Sequence, residues 1–326
     1  MNARMVCVID GDNVAFAMVG EGGELRASSV RQFRTSDFPT FTDALQNYTR
    51  ANQIETGALP LGLAVAGVAR GDIISLANCR WYISVSGIRA FLGHEPLIVN
   101  DFAATAWSLA ALEARQMKAV GPVLPKPVAP GRTFLVVGTG PGLGMATLII
   151  RSDGNAVVLE SEGGHGSFAP QSEREDGLLA SLRRKFAGHV SYERLVSNHG
   201  LQNIYTWLIE QEGRTGSAPA ADQIVAGALR GDGVAKQTVE IFASALGSFA
   251  GNCVLTAGAW DGVLLVSPVL RQMLPLLEGP AYRNGFLAKG RMRKALEPVP
   301  TSFADTDNAS LAGAAAALMA KERAAA

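Results

Sequence analysis

"TFLVVGTGPGLGMATLII", residues 133–150, reads as strand, glycine-rich turn, strand. Apolar side chains fill both arms, and Gly138, Gly140, Gly142 and Gly144 interrupt the run between them. The chain opens on the same plan. "VCVIDGDNVAFAMVGEGGE", residues 6–24, has an apolar arm, a turn of Asp10, Gly11, Asp12 and Asn13, and a second apolar arm. "NAVVLESEGGHGS" adds a third strand to the later hairpin, and both hairpins continue into mixed helical and strand patterns. Two α/β units facing each other across a cleft are the expectation, and small ligands bind in such clefts.

Between the hairpins, "FTDALQNYTRAN" has the spacing of an amphipathic helix. "LGLAVAGVA" and "DIISLAN" read as strands, "WYISVSGIRAFLG" as a helix ending at Gly93, and "PLIVNDF" as a buried strand. "ATAWSLAALEARQ" predicts a helix, and "GPVLPKPVAPGR" a connecting loop. Later, "YERLVSNHGLQNIYTWLIEQ" predicts a helix with Ser191 as its cap and Glu193 in its first turn. Residues 241–260 read as helix, turn and strand, with "NCVLTAGAWDG" as the strand. The alanine-rich C-terminus predicts one more helix.

Composition narrows the function. The 326 residues are 48% apolar and 18% charged, as in a well-packed globular protein. Basic and acidic residues number 29 each, so no nucleic-acid footprint is expected. Cys7, Cys79 and Cys253 lie far apart, which fits reduced thiols in the cytoplasm better than a disulfide frame or zinc site. "MNARMVCVID" lacks the pattern of a secretory leader, and residues 241–260 carry too many polar and glycine residues for a good membrane span.

Four stretches carry chemistry, each against a structural alternative. "GTGPGLG", residues 138–144, lets backbone N–H groups approach an anion, or is a tight hairpin without ligand. It is neither the dinucleotide fingerprint nor a Walker loop, because Leu143 stands at the third glycine and no GK[ST] occurs. "VNDF" places Asn100 and Asp101 where a strand meets a loop, which suits a general base or a helix cap. "SEGGHGS" sets Glu162 and His165 two glycines apart, so that they converge on a small ligand or decorate a solvated turn. Asp10 and Asp12 put two carboxylates in one turn.

Taken in order, "VNDF", "GTGPGLG", "ESEGGH" and "YERLVSNHGLQNIY" resemble the bacterial glucokinase family over almost the whole chain. "LANCRW" and "ADTDNASLAGAAAA" look like family counterparts as well. The resemblance implies a two-domain actin-like ATPase (ribonuclease H-like) fold with a cleft between the domains. Residues 1–104 with 305–326 would form the small domain, and residues 105–304 the large one. It implies phosphorylation of glucose, or a related hexose, at the 6-hydroxyl by ATP with Mg²⁺, and a homodimer as one assembly. Asp101 matches the catalytic base. Asn100, Glu162, His165 and Glu193, with Asn78, match contacts to the sugar hydroxyls. Gly11 belongs to the first phosphate loop, and Gly138, Thr139, Gly140 and Gly142 to the second. "LTAGAW", with Gly258, matches the turn against adenosine.

The nucleotide side departs from the family pattern. The first loop has Val8 for the usual Asp, Asp10-Gly11-Asp12 for Gly-Gly-Thr, and Ala15 for Arg. Pro141 stands for a common Thr, and Ala259 for a Gly. Asp10 and Asp12 would repel ATP phosphates unless they hold Mg²⁺. Two expectations follow: a working kinase with a variant first loop, or a catalytically impaired sugar-binding protein acting as sensor or regulator.

Overall fold

A computed structural model describes residues 3–76, 79–306 and 309–325. It divides into two compact units: residues 1–111, 155–160 and 307–326, and residues 112–154 and 161–306.

The first unit begins with β1 (Arg4–Asp10), β2 (Asn13–Val19), β3 (Arg31–Arg34) and α1 (Phe41–Ala51). It continues with β4 (Leu61–Val65), β5 (Gly67–Arg70), β6 (Ile73–Leu76), β7 (Tyr82–Ser84), α2 (Val85–Leu92), β8 (Leu97–Asn100) and α3 (Asp101–Ser108). The main sheet has the order β3-β2-β1-β4-β8, and β5-β6-β7 form a small separate sheet. Strand β1 is apolar at every turn of the pleat because both faces of its sheet are covered. Met5, Cys7 and Ile9 join a cluster with Phe16, Phe41, Tyr48 and Trp81. Val6 and Val8 join the opposite cluster, with Ala103, Ala104, Leu311, Ala314 and Ala315.

The second unit contains β9 (Met117–Ala119), β10 (Arg132–Thr139), β11 (Leu143–Ile150) and helices α4 (Glu173–Lys185), α5 (Asn198–Gln211), α6 (Ala221–Arg230) and α7 (Gly233–Ala257). Strand β12 (Ala156–Ser161) lies between β11 and α4 in the chain. Then follow β13 (Gly262–Val266), α8 (Pro268–Leu277), α9 (Pro280–Leu287), α10 (Arg293–Leu296) and β14 (Thr301–Ala304). Helix α11 (Ala309–Ala325) returns the chain to the first unit. The second sheet runs β12-β11-β10-β13-β14-β9. Its first five strands repeat the order of the first sheet, as the paired hairpins suggest.

Several boundaries differ from expectation. Residues 252–257 are not a strand but the last turns of α7, which Gly258 ends in the left-handed region at φ +66°. Val254 is fully buried there, and core packing outweighs its strand preference. By length and composition α7 could cross a membrane, but 72% of its most apolar window is buried within the fold. Helix α3 stops at Ser108, whose hydroxyl donates to Thr105 O (2.7 Å), and only short 3₁₀ turns follow. Tyr82–Ser84 is a strand ahead of α2. Helix α5 starts at Asn198, not near Ser191; Ser197 Oγ is its cap, accepting from Gly200 N at 3.0 Å.

Burial pushes the Cys7 thiol well up and that of Cys253 up to about 12. Thiolates are the reactive species, so both are expected to resist modification in the folded protein. Titration with a thiol-specific disulfide reagent at pH 8 should modify at most Cys79 quickly, and the other two only after unfolding. Rapid modification of all three in the native state would contradict this packing.

Candidate active site

The first unit gathers Asp10, Gly11, Asp12, Asn100 and Asp101 at one edge of the sheet. Strands β1, β4 and β8 run parallel, with Ile9 beside Val65 and Val65 beside Asn100. Their carboxyl ends therefore share an edge, where α/β sheets bind ligands. Two strand spacings, about 10 Å, separate the end of β1 from Asn100. Asp10 pairs with Asn13 across a two-residue turn, in which Gly11 takes φ +53° with open space where a Cβ would point. Asp10 and Asp12 are both exposed. Among the described residues, no group of three His, Cys, Asp or Glu side chains forms a metal cage.

The cap reading of "VNDF" is the one seen in the structure. Asn100 is the cap of α3: its Oδ1 accepts from Phe102 N (2.9 Å) and Ala103 N (3.0 Å). Asp101 is the first helical residue, half-buried, and its Oδ1 accepts from Phe102 N at 2.8 Å. Its carboxylate thus sits in the first turn of α3, at the positive end of the helix dipole. Asn78 lies outside the described residues. Asp12, Thr35 to Pro39 and Cys79 to Trp81 line a cavity of about 530 Å³.

In the second unit, β10 and β11 join through Gly140, Pro141 and Gly142, with Thr139 opposite Leu143. Gly140 has open space around its Cα and donates its N–H to Gly142 O (2.9 Å). Gly142 has a different reason to be glycine. A Cβ there would come within 2.7 Å of Glu193 Oε2, which also accepts from Leu143 N at 3.2 Å. The carboxylate of Glu193 is therefore docked on the glycine turn, and it rides on a 3₁₀ turn, not on the first turn of an α-helix. Thr139 spends its hydroxyl on Val196 O (3.1 Å).

Glu162 and His165 do come together. Their side chains lie 3.7 Å apart, both largely exposed, across a 3₁₀ turn. The glycines between them let that turn lie against β11: a Cβ on Gly163 would strike Met145 Sδ, and one on Gly164 would strike Leu143 O. His189 was not singled out by spacing, yet its Nε2 meets His165 O at 3.2 Å.

A second cavity, of about 460 Å³, opens at the glycine turn. Thr139, Gly140 and Pro141 form one wall; Asn198 and Gln202, Ala221 and Asp222, and Pro268, Val269 and Gln272 form the others. These are the first turns of α5, α6 and α8, so three helix N-termini converge on one space. Such ends carry partial positive charge, which favours an anion, although Asn198 N already donates to Gly140 O, Gly200 N to Ser197 Oγ, and Val269 N and Leu270 N to Ser267 Oγ. Asn198 Oδ1 is buried there without a hydrogen-bond partner.

Gly258 must be moved out of this group. Strand β13 runs parallel to β10 with Gly262 beside Phe134 and Val266 beside Gly138. The "LTAGAW" turn thus lies at the amino end of the sheet, where Asp261 Oδ2 accepts from Thr133 N (3.0 Å). Ser267, Pro268 and Val269 occupy the end that Gly138 and Thr139 share.

Comparisons with known proteins identify the family. A sequence model of the glucokinase family matches residues 5–321. A glucokinase of Stenotrophomonas maltophilia is 37% identical over 317 residues, covering 96% of this chain and 93% of that protein. The chain belongs to the glucokinase family. A crystal structure of a glucokinase from an Antarctic psychrotroph superposes with a TM-score of 0.82 at 29% identity, covering 98% of this chain and 99% of that one. A glucokinase from Balamuthia mandrillaris, solved in complex with glucose, shares the fold at a TM-score of 0.76 and 20% identity, covering 98% and 94%. The fold of this glucokinase-family chain is accordingly the actin-like two-domain α/β fold.

Proposed function

We propose that the protein is an ATP:glucose 6-phosphotransferase and works in the cytoplasm. The observation that carries the ATP side is the convergence of three helix N-termini on the cavity at the glycine turn. Phosphates are anions, and oriented N–H groups hold them without a lysine or a Walker loop. The sugar side rests on family membership, with Asn100 and Asp101 at a strand end and Glu162, His165 and Glu193 on two adjoining turns.

In this reading Asp101 accepts the proton of the sugar 6-hydroxyl. The freed O6 attacks the γ-phosphorus of ATP, the bond to the β-bridging oxygen breaks, and ADP leaves with that electron pair. Glu162, Glu193, His165 and the amide of Asn100 supply the mixed acceptors and donors that a neutral, hydroxyl-rich ligand requires. The main contribution is positioning, since phosphoryl transfer asks little covalent chemistry of the protein.

Asp10 and Asp12 fit Mg²⁺, which is bound through one or two carboxylates with water and substrate phosphates and needs no full protein cage. When bound, the ion neutralises charge on the phosphates. The double change Asp10→Asn with Asp12→Asn should then raise the Mg²⁺ concentration needed for half-maximal activity several-fold. A fall in that requirement, with tighter ATP binding, would mean that the carboxylates only repel phosphate.

Calorimetric titration with glucose, then with Mg·ATP, tests the assignment as a whole. Binding of both is expected. Glucose binding without nucleotide binding would make the protein a sugar sensor instead.

A further inference from the structure

Behind the two turns that carry Glu162, His165 and Glu193 lies a polar chain that the reaction itself does not use. Tyr192 immediately precedes Glu193, and only 4% of it is exposed. Its backbone N–H donates to Gly166 O at 2.9 Å, and Ser191 forms a bridge with Ser167. The residue before Glu193 is thus tied to the residue after His165. Its ring stands edge-on to Phe168, with centroids 5.4 Å apart, and packs on Phe249 at 5.2 Å.

The hydroxyl end enters the helical core. Asn252 Nδ2 donates to Tyr192 Oη at 3.0 Å, and Ser248 Oγ lies 3.4 Å from the same oxygen. Lys289 Nζ in turn donates to Ser248 Oγ at 3.2 Å and to Gly285 O at 3.3 Å. Ser248 and Asn252 are one helical turn apart on α7, and Lys289 follows α9. Helices α7 and α9 cross on small residues, since a Cβ on Gly247 would strike Tyr282 O and one on Gly285 would strike Ser244 O. A long cationic side chain half-buried in such a crossing is costly unless its N–H groups are used. Here they are used on Ser248 Oγ and two backbone carbonyls, and Ser248 Oγ is the group beside the Tyr192 hydroxyl.

We infer that Lys289, Ser248 and Asn252 act through Tyr192 as positioning residues for the hexose-binding turns, holding Glu193 and His165 in one fixed relation. Tyr192 is the only described side chain that joins these turns to α7 through hydrogen bonds to both Ser248 and Asn252. Loss of its hydroxyl leaves the ring contacts in place and frees the Glu193 turn to shift. The effect falls first on hexose affinity, because α5, α6 and α8 wall the nucleotide cavity on the sides away from Glu193 and only the glycine turn is shared. This inference rests on the proposal that Glu193 and His165 hold the sugar.

The test uses Tyr192→Phe, Lys289→Met and the double variant in the full chain. Each is measured for glucose affinity by calorimetry, for KM of glucose and of ATP, for kcat and for Tm. Each single change should weaken glucose binding about 3- to 10-fold, the range of one hydrogen bond. KM for ATP and kcat should stay within about twofold, the double variant should lose no more than the worse single variant, and Lys289→Arg should recover part of the loss. Unchanged glucose affinity in both single variants would overturn the inference. So would parallel losses for glucose and ATP that follow a lowered Tm, the signature of a merely structural role. If Tyr192→Phe fails to fold, Lys289→Met at the far end of the chain decides alone. Failure of the functional proposal is separately visible, because the unmodified protein would then bind no glucose.

Discussion

Alanine at position 101 is expected to lower glucose phosphorylation by about 10²- to 10⁴-fold, the usual contribution of a positioned base. Glucose affinity should fall by no more than about tenfold, the worth of one hydrogen bond. The substitution leaves the cap of α3 in place. Asn100, not Asp101, caps α3, and its bonds to Phe102 N and Ala103 N survive the change. The helix loses a first-turn acid worth only about 0.3–1 kcal/mol. Steady-state kinetics beside glucose calorimetry separate the two effects. A kcat unchanged in Asp101→Ala would remove this carboxylate from the chemistry.

The second large effect lies far along the chain from any predicted site residue. Helix α11 crosses α3 so closely that a Cβ on Gly313 would overlap the Ala104 carbonyl oxygen. Gly62 on β4 is also close to α11, with 3.0 Å from its would-be Cβ to Ala314 O. Backbone cannot yield as a flexible side chain does, so Gly313→Val should destabilise the first unit by about 3 kcal/mol or more. Helix α3 begins at Asp101, so any fraction that still folds should have the base displaced and turnover lowered. Calorimetric Tm and kcat are the readouts. Gly233→Ala is the control, because nothing lies within 4 Å of its would-be Cβ and its backbone is unstrained. A Gly313→Val protein with the parent Tm would refute the close crossing.

The double hairpin was legible because turn chemistry is local: glycine or Asp-Gly between two apolar arms has few other solutions. The ends of the sheets were not, because parallel pairing joins residues far apart in the chain, such as Phe134 and Gly262. "LTAGAW" carries a persuasive glycine, yet only the register of Phe134 on Gly262 puts it at the amino end. The same applies to "NCVLTA", whose β-branched residues argue for a strand while Val254 is held in a helix by the core. Ser191 and Ser197 are equally good caps on paper. Sequence points to Gly142 for an anion and to Gly163 and Gly164 for the convergence of Glu162 and His165, whereas all three also permit close contact, with Glu193, Met145 and Leu143. His189 and Tyr192 reach the site through tertiary contacts that no spacing announces.

The altered first loop leaves one question above the others: whether "DGDN" supports transfer. The most direct measurement follows glucose 6-phosphate formation by the purified protein in a coupled assay, omitting glucose, ATP and Mg²⁺ in turn. The account predicts product that requires all three, with the phosphate on O6 by phosphorus NMR. Glucose binding with no product at any Mg²⁺ concentration would contradict it, and would leave a protein that reads the sugar without phosphorylating it.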